Sequence, residues 1–279
     1  MSNEIKTISN SQLGQWIRCP RQWEFRYVKG LKVPPGGAAV QGTAYHGGLK
    51  ENFKYKIHTG VDMPLADVQD AFNTHWTAET TNPREETDDD VDAEPISDKV
   101  VLWDDKNPGE LKDEGLRLLQ LYHTSIAPSV KPVAVEKKSE IKIGDTLLLG
   151  YIDVEENDLV IDHKLRSRSV SQNDADKELQ PFTYRLLTGK NNFAFHVAVK
   201  KKHPELQVVR VQKTESDIDW FVYMTKQIIG QMRAGICPPN PTSWLCSERF
   251  CGYKPLCKEM LQKTYVEAPS KTFVPVTEL

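Results

Sequence analysis

The sequence has no long hydrophobic run: 39% of its 279 residues are hydrophobic and 27% are charged. No segment approaches the roughly 18 consecutive apolar residues that a membrane helix needs. The opening residues Met-Ser-Asn-Glu-Ile-Lys lack the apolar region of a signal peptide. The motif G-x₄-G-K-[ST] is also missing, which excludes a P-loop motor. We therefore expect a cytoplasmic protein without a membrane partner, long enough to form one substantial core.

The chain also has little net charge, −3 in all, but this charge is unevenly distributed. Residues 85–94 contain seven acids and no base, which leaves +4 for the rest of the chain. Such a run is typical of a solvated insertion, which we place at 84–98; the alternative is a strand mimic that guards a cleft. Between residues 10 and 60 the balance is basic, and we expect phosphate contacts there. The bases of this region are Arg18, Arg21, Arg26, Lys29, Lys32, Lys50, Lys54 and Lys56.

Two short apolar segments, 147–154 and 159–165, flank the polar sequence Glu-Glu-Asn-Asp, a pattern that predicts a β-hairpin. Because side chains alternate along a strand, Asp162 and Lys164 share one face. If Asp153 lies beside them, two carboxylates meet an ammonium, which is costly unless a divalent cation neutralises the acids. Such a set suits metal-assisted attack of water on a phosphodiester. A solvated salt bridge is the alternative for an Asp-x-Lys pair taken alone.

The periodicity of the remaining residues predicts an α/β order. Helices are predicted from a Ser9-Asn-Ser11 cap to about Tyr27, and at 41–58, 65–79, 109–126, 175–188 and 216–234. Strands are predicted at 132–143, 146–154, 159–166, 193–199 and 207–212.

Further motifs lie in order around the hairpin: Gly42-Thr-Ala-Tyr-His46, Glu136, Gln180-Pro-Phe-Thr-Tyr184, and cysteines at 19, 246, 251 and 257. Together they resemble the RecB-like, iron–sulfur branch of the PD-(D/E)xK nuclease superfamily, which includes AddB-type helicase-nucleases, CRISPR-associated adaptation nucleases and small phage exonucleases. The resemblance spans about residues 9–260. It implies an α/β fold with a restriction-endonuclease-like core, in which helices flank a central mixed β-sheet.

The resemblance also implies a division of the chain. Residues 1–131 would form an N-terminal helical region with the histidine motif, the basic face and the acidic insertion. Residues 132–235 would form the nuclease core. Residues 236–262 would be a C-terminal cysteine-cluster loop that closes onto Cys19, and 263–279 a tail.

For the hairpin, the resemblance implies catalytic roles that fit the chemistry. Asp153, Asp162, His46 and the backbone carbonyl of His163 would bind Mg²⁺ or Mn²⁺, which take carboxylate oxygens and tolerate one imidazole. Lys164 would position the water or stabilise the pentavalent oxyanion.

Three further residues receive roles only from the resemblance. Glu136 matches an acidic position before the hairpin, although Glu140 is a competitor four residues on and a solvated strand face explains either. Gln180 and Tyr184 lie on one helix face and would contact DNA or support the metal site. The alternative for this pair is packing.

Cys246, Cys251 and Cys257 lie within twelve residues. Disulfides are not expected in a cytoplasmic protein, so metal ligation is favoured over a role as soft core residues. A tetrahedral metal or a cubane needs a fourth thiolate, and the resemblance assigns this role to Cys19. The spacing C-x₄-C-x₅-C departs from the C-x₂-C-x₅-C of many relatives, so zinc stays an alternative to a [4Fe–4S] cluster. Cys237 is left over as an ordinary thiol, and the alternative is that it replaces one of the four ligands.

These observations predict a metal-dependent DNA exonuclease that acts on single strands or duplex ends in recombination, repair, or phage or CRISPR DNA processing. DNA contacts are expected from Arg18, Arg21, Arg26 and Tyr184, and recombination or replication proteins are expected partners. If a phage encodes the chain, its compartment is the host cytoplasm. The alternatives are a structure-selective endonuclease and a catalytically silent DNA-binding assembly subunit.

Overall fold

The structure, a computed structural model, describes residues 4–82 and 100–267. The acidic insertion predicted at 84–98 lies outside the described residues, as does 268–279 of the predicted tail. The chain forms two compact units. The first comprises Met1–Gly14 and Pro34–Gly235, and the second comprises Gln15–Val33 and Ile236–Leu279.

The described elements alternate between helices and strands. In chain order they are β1 (Thr7–Ser9), α1 (Asn10–Arg18), α2 (Pro20–Trp23), a π-helical segment (Glu24–Val28), α3 (Gly37–Thr59), α4 (Leu65–Thr81), α5 (Pro108–Ser125), a 3₁₀ turn (Ala127–Ser129), β2 (Ala134–Ile143), β3 (Thr146–Glu155), β4 (Val160–Arg166), α6 (Gln172–Lys177), α7 (Gln180–Thr188), β5 (Phe193–Val199), β6 (Glu205–Val211), α8 (Glu215–Arg233) and α9 (Lys254–Glu267). Within these residues no helix is both long and apolar enough to cross a membrane.

Local signals explain where the helices begin. Ser9 caps α1, since its hydroxyl accepts the backbone N–H of Gln12 at 3.3 Å. The side chain of Asn107 accepts two backbone N–H groups at the start of α5, and Thr214 begins α8 with a capping box. The helix predicted at 175–188 is in fact two, because Glu178 takes an extended backbone and Pro181 favours a new first turn.

A six-stranded mixed sheet forms the centre of the first unit. Strands β1, β3, β4, β5 and β6 are neighbours in that order, and β2 pairs with β3. The β1–β3 and β4–β5 pairs are parallel, whereas β2–β3, β3–β4 and β5–β6 are antiparallel. The predicted hairpin is confirmed as β3 and β4, although only two residue pairs, Val154–Ile161 and Glu155–Val160, join them.

The short pairing of β3 with β4 opens the sheet beside Asp153. One edge of β3 pairs with β2 from Thr146 to Glu155, and Asp153 alone is missing from this register. On the other edge, β1 pairs with 147–149 and β4 pairs with 154–155. Among the described strands, residues 150–153 of β3 therefore have no partner on that edge.

Apolar side chains cover both faces of this sheet. One cluster packs α3, α4 and α5 against Val154 and Ile161, and another packs α7 against Ile152 and Val160. Two glycines allow the close approach: a Cβ at Gly47 would collide with His75 on α4, and a Cβ at Gly150 would lie 2.6 Å from Leu187 on α7.

The second unit is built around aromatic rings and cysteines. Trp16 and Trp23 pack edge to face with ring centroids 5.2 Å apart, and the Tyr253 hydroxyl donates to the carbonyl of Leu31 at 2.8 Å. The single helix predicted up to Tyr27 is wrong, because the extended backbone of Cys19 separates α1 from α2. The predicted C-terminal loop also contains helix α9, which begins at Lys254.

Candidate metal centre

Three side chains from two neighbouring strands and one helix converge in the first unit. His46 on α3, Glu136 on β2 and Asp153 on β3 each offer one ligand atom, and these atoms lie within 4.8 Å of one another. His46 Nδ1 is 3.3 Å from Asp153 Oδ2, and both side chains are partly buried. An imidazole and two carboxylates so close together form a donor set suited to Mg²⁺ or Mn²⁺.

The backbone of Glu136 is distorted at this position. Its φ is 50°, in the left-handed region, while Val135 and Lys137 pair regularly with Val154 and Ile152. The register therefore places Glu136 directly opposite Asp153. Non-glycine residues in this conformation are uncommon and cluster at functional sites.

The charges of the three groups act on one another. Burial lowers the pKa of His46, but the neighbouring Asp153 carboxylate outweighs this effect and raises the pKa to about 9. Burial works against the ionised form of Asp153, yet His46 and a hydrogen bond from His163 hold the pKa of this carboxyl well below its usual range. Burial and the charge of Asp153 raise the pKa of Glu136. His46 and Glu136 therefore hold protons more readily than free side chains do, and a cation bound here would displace them.

Asp162 and Lys164 lie next to this group on β4 and face the same side, as predicted. Lys164 Nζ is 3.0 Å from Asp162 Oδ2, and Gln180 Nε2 donates to Asp162 Oδ1 at 2.8 Å. The Asp162 side chain is only 2% exposed, and burial raises its pKa to about 7 despite the lysine. Asp162 Oδ2 has no hydrogen bond of good geometry among the described residues, although the ion pair to Lys164 reaches it.

The residues that converge in the structure differ from the predicted set of metal ligands. Asp162 was predicted as a ligand with His46 and Asp153, but it lies outside the group whose donor atoms are within 4.8 Å. Glu136 completes that group, whereas Glu140 lies opposite Leu149 further along β2. The backbone carbonyl of His163 stays a predicted ligand.

The geometry of these donor atoms fits a divalent cation. Three oxygen and nitrogen donors converge, and the buried carboxylate oxygen of Asp162 beside them lacks a full set of partners. Buried carboxylates at such short range are unfavourable without a neutralising charge.

Tyr184 lies on the buried side of α7. Its side chain is 4% exposed, and its hydroxyl donates to the backbone carbonyl of Tyr151 at 2.6 Å. The residue packs α7 onto β3 in this position, and its contact with DNA stays a prediction that burial disfavours. Gln180 holds Asp162 and supports the site through that hydrogen bond.

Basic residues follow His46 along α3. Lys50 and Lys54 are four and eight residues further on, and their charges lower the pKa of Glu136, which places them near the site. Lys56 was expected to contact phosphate, but it is buried and donates to Asp62 and to the carbonyls of Ala127 and Pro128. Its ammonium therefore ties α3 to the turn after α5.

Four of the five cysteines line one cavity in the second unit. Cys19, Cys246, Cys251 and Cys257 surround a space of about 20 Å³. Cys237 does not line it; this thiol is buried, and burial raises its pKa. The four cysteines that were predicted to act together thus line one cavity, and their binding of a metal stays a prediction.

Nitrogen donors surround the sulfur atoms of this cavity. Gln22 Nε2 donates to Cys251 Sγ at 3.1 Å, the backbone N–H of Asn240 to Cys19 Sγ at 3.4 Å, and Lys254 Nζ to Cys246 Sγ at 2.9 Å. Such donors stabilise thiolates and adjust the properties of the metals they bind. Among the described residues no three sulfur atoms lie within 4.8 Å of one another.

The predicted DNA-binding arginines of the second unit have different surroundings. Arg18 is exposed, and Arg21 lines the cysteine cavity and pairs with Glu24. Arg26 lies over the ring of Tyr27 at 5.6 Å. Contact with DNA by these three residues stays a prediction.

Two buried residues near the site carried no signal in the sequence. The hydroxyl of Tyr122 on α5 lies between the rings of His163 on β4 and His196 on β5. Their sequence separation of tens of residues follows no local period, so only the fold brings them together.

Comparison with known proteins gives a family match over most of the chain. The model of the PD-(D/E)XK nuclease superfamily matches residues 7–258. No curated protein matches at a significant level. A "Putative exonuclease" from Eubacterium rectale is similar in structure, with a TM-score of 0.56 and 11% identity over 98% of this chain and 92% of that one. A structure named SSO0001 has a TM-score of 0.39 and 13% identity, over 98% and 90%. The predicted restriction-endonuclease-like α/β fold is confirmed.

Proposed function

Since the chain belongs to the PD-(D/E)XK nuclease superfamily, we propose that it is a divalent-metal-dependent deoxyribonuclease acting as an exonuclease on single strands or duplex ends. The family accounts for phosphodiester hydrolysis with a divalent metal. The DNA substrate and the exonuclease specificity are the proposed part.

One observation carries the proposal: His46, Glu136 and Asp153 converge within 4.8 Å, and the Asp162–Lys164 pair lies on the neighbouring strand. A solvated salt bridge does not account for this arrangement, because Asp162 is almost fully buried. Burying several carboxylates around one point costs free energy, and a bound cation that neutralises them is the simplest reason for the arrangement.

Each residue has a separate task in this proposal. His46, Glu136 and Asp153 hold the cation, while Gln180 orients the Asp162 carboxylate through its amide. A bound Mg²⁺ or Mn²⁺ supplies Lewis acidity and neutralises phosphate charge. Lys164 donates to the developing negative charge on the phosphate oxygens, which is where a fixed ammonium contributes most.

A DNA substrate is supported by the lysines that follow His46. Lys50 and Lys54 lie along α3 and act electrostatically on Glu136, so a phosphate backbone that reaches the centre would meet positive charge. Arg18 provides a further exposed cation in the second unit.

We further propose that the chain belongs to the RecB-like branch and that Cys19, Cys246, Cys251 and Cys257 bind a [4Fe–4S] cluster. The support is their shared cavity and the nitrogen donors to three of the sulfur atoms. Zinc is the alternative outcome.

The proposal is tested by digesting end-labelled linear DNA and circular single-stranded DNA with purified protein and Mg²⁺ or Mn²⁺. An exonuclease degrades linear substrates and leaves circles intact. Cleavage of circles would instead establish the structure-selective endonuclease. Binding of DNA without any cleavage would indicate the silent assembly subunit.

A further inference from the structure

Two hydrogen bonds join three buried side chains behind the candidate metal centre, in the core of the first unit. His163 Nε2 lies 2.9 Å from the Tyr122 hydroxyl, which lies 2.7 Å from His196 Nδ1. The three residues are 2%, 0% and 5% exposed. The metal site proposed above does not itself use the Tyr122 hydroxyl or the His196 ring.

At one end of these hydrogen bonds, His163 faces a candidate ligand. His163 Nδ1 is 3.6 Å from Asp153 Oδ2, and the same oxygen accepts the backbone N–H of His163 at 2.8 Å. A carboxylate beside Nδ1 favours a proton on that nitrogen. In a neutral imidazole, Nε2 is then an acceptor.

The donor and the acceptor of each remaining hydrogen bond follow from this tautomer of His163. Burial raises the pKa of the Tyr122 hydroxyl, so the tyrosine keeps its proton and donates a hydrogen bond to His163 Nε2. The hydroxyl oxygen then accepts a hydrogen bond from the N–H of His196 Nδ1. Both histidines are neutral in this arrangement, in keeping with their burial.

The opposite tautomer of His163, with its proton on Nε2, is unfavourable. If His163 carried its proton on Nε2, the lone pair of Nδ1 would point towards the carboxylate of Asp153. Tyr122 is fully buried and His163 is 2% exposed, so bulk solvent does not supply His163 with another partner. The direction of the hydrogen bonds is therefore set by the protein alone.

We propose that Tyr122 and His196 are positioning residues, which fix the tautomer and the ring orientation of His163 and thereby hold Asp153 in place for a divalent cation. The inference rests on the proposed metal site and adds residues that act on it through His163. Partners of this kind, which orient a metal ligand from behind, typically change metal affinity or activity roughly 10–100-fold when they are removed.

The test compares two tyrosine-to-phenylalanine variants in metal-free protein. Tyr122→Phe removes the hydroxyl that joins the two histidines. Tyr45→Phe is the matched control, because Tyr45 is also fully buried in the same apolar cluster and its hydroxyl has no hydrogen bond among the residues described. Thermal unfolding shows whether both variants fold, and calorimetric titration with Mn²⁺ gives metal affinity without DNA or turnover.

Nitrogen-15 spectra of the histidine side chains provide a second readout that a packing role would not change. We expect His163 to carry its proton on Nδ1 in the wild type and in Tyr45→Phe. In Tyr122→Phe we expect the Nε2-protonated form to appear and Mn²⁺ to bind roughly 10–100-fold more weakly.

A pair of variants at His196 keeps the inference testable if Tyr122→Phe does not fold. The amide of His196→Asn can replace the Nδ1 donor, whereas His196→Leu cannot. We expect His196→Asn to retain Mn²⁺ affinity and the His163 tautomer better than His196→Leu does.

The possible failures are distinguishable. A wild type that binds no Mn²⁺ overturns the proposed metal centre and the positioning role with it. A wild type that binds Mn²⁺ while Tyr122→Phe and His196→Leu bind equally well, with an unchanged His163 tautomer, overturns the positioning role alone.

Discussion

Glu136 faces Asp153 between the paired residues Val135–Val154 and Lys137–Ile152 of β2 and β3, and its backbone has a φ of 50°. The residue pairs on either side are regular, so the distortion is confined to one position. A left-handed conformation costs a non-glycine residue roughly 1–2 kcal/mol. The fold therefore tolerates strain where the candidate ligands meet, which is typical of functional sites.

Replacing Glu136 separates strain from ligation. Glu136→Gly relieves the backbone and removes the carboxylate, so we expect stability equal to the wild type or up to about 1 kcal/mol higher. Glu136→Gln keeps the strain and removes only the charge. Urea unfolding measures the first effect, and titration with Mn²⁺ should show weaker binding in both variants.

Glu140→Gln is the control on the same strand. Glu140 lies opposite Leu149, away from the candidate ligands, so its replacement should leave Mn²⁺ affinity unchanged. If Glu140→Gln loses affinity while Glu136→Gln retains it, the acidic position has been assigned to the wrong residue.

His46→Ala should weaken metal binding more than DNA binding. The imidazole lies 3.3 Å from Asp153 and acts as a ligand in the proposal, so its loss should reduce Mn²⁺ affinity roughly tenfold or more, about 1.4 kcal/mol. Raising Mn²⁺ should partly restore cleavage. A variant with impaired DNA affinity and an unchanged metal dependence would place His46 in another role.

Burial of His196 should make the protein sensitive to acid. Burial lowers the pKa of His196 to about 3, below the value of the unfolded chain. The neutral, buried ring contributes its full share to the free energy of unfolding above about pH 6.5. This contribution is lost as the pH falls towards the pKa of His196 in the folded protein. Between about pH 7 and pH 5 the wild type should lose about 2 kcal/mol more than His196→Leu in urea unfolding. Equal losses in the two proteins would contradict the buried neutral state.

The four cavity cysteines should bind one [4Fe–4S] cluster in protein purified without oxygen. Cys19 is more than two hundred residues away from the other three. Ligation would therefore close a long loop, for which the entropic stabilisation is about 4–5 kcal/mol by analogy with disulfides. Cys19→Ser should lose both the broad absorbance near roughly 400 nm and this stability.

Cys237→Ser provides the matched control for that experiment. Cys237 is buried like Cys19 but does not line the cavity, so this variant should keep iron and sulfide at the wild-type level. Stoichiometric zinc without iron, or a Cys19→Ser protein with a full cluster, would contradict the assignment.

The sequence predicts the sheet around the hairpin well, because alternation and turn residues are local signals. The polar stretch between the two apolar segments marks the turn, and Asp162 and Lys164 share a face as their spacing requires. Strand β1 is not predicted, because three residues carry too little alternation. The break between α1 and α2 depends on the backbone of Cys19, which apolar periodicity does not encode.

The candidate site is predictable only in part. The spacing of Glu136 and Glu140 places both on the same strand face, so alternation does not distinguish them; the register opposite Asp153 does. The burial of Tyr184 depends on how closely α7 packs on Gly150, a tertiary contact. Tyr122 and His196 reach His163 only after three elements have packed together.

The central claim is that His46, Glu136 and Asp153 hold a divalent cation beside a buried Asp162–Lys164 pair that serves phosphodiester hydrolysis. Single-turnover cleavage of end-labelled single-stranded DNA by chelator-treated protein tests it most directly. We predict no cleavage until Mg²⁺ or Mn²⁺ is added, and losses on the order of 10²–10³ or more in folded Asp162→Ala and Lys164→Ala proteins. Cleavage without metal, or near-normal turnover by either variant, would contradict the claim.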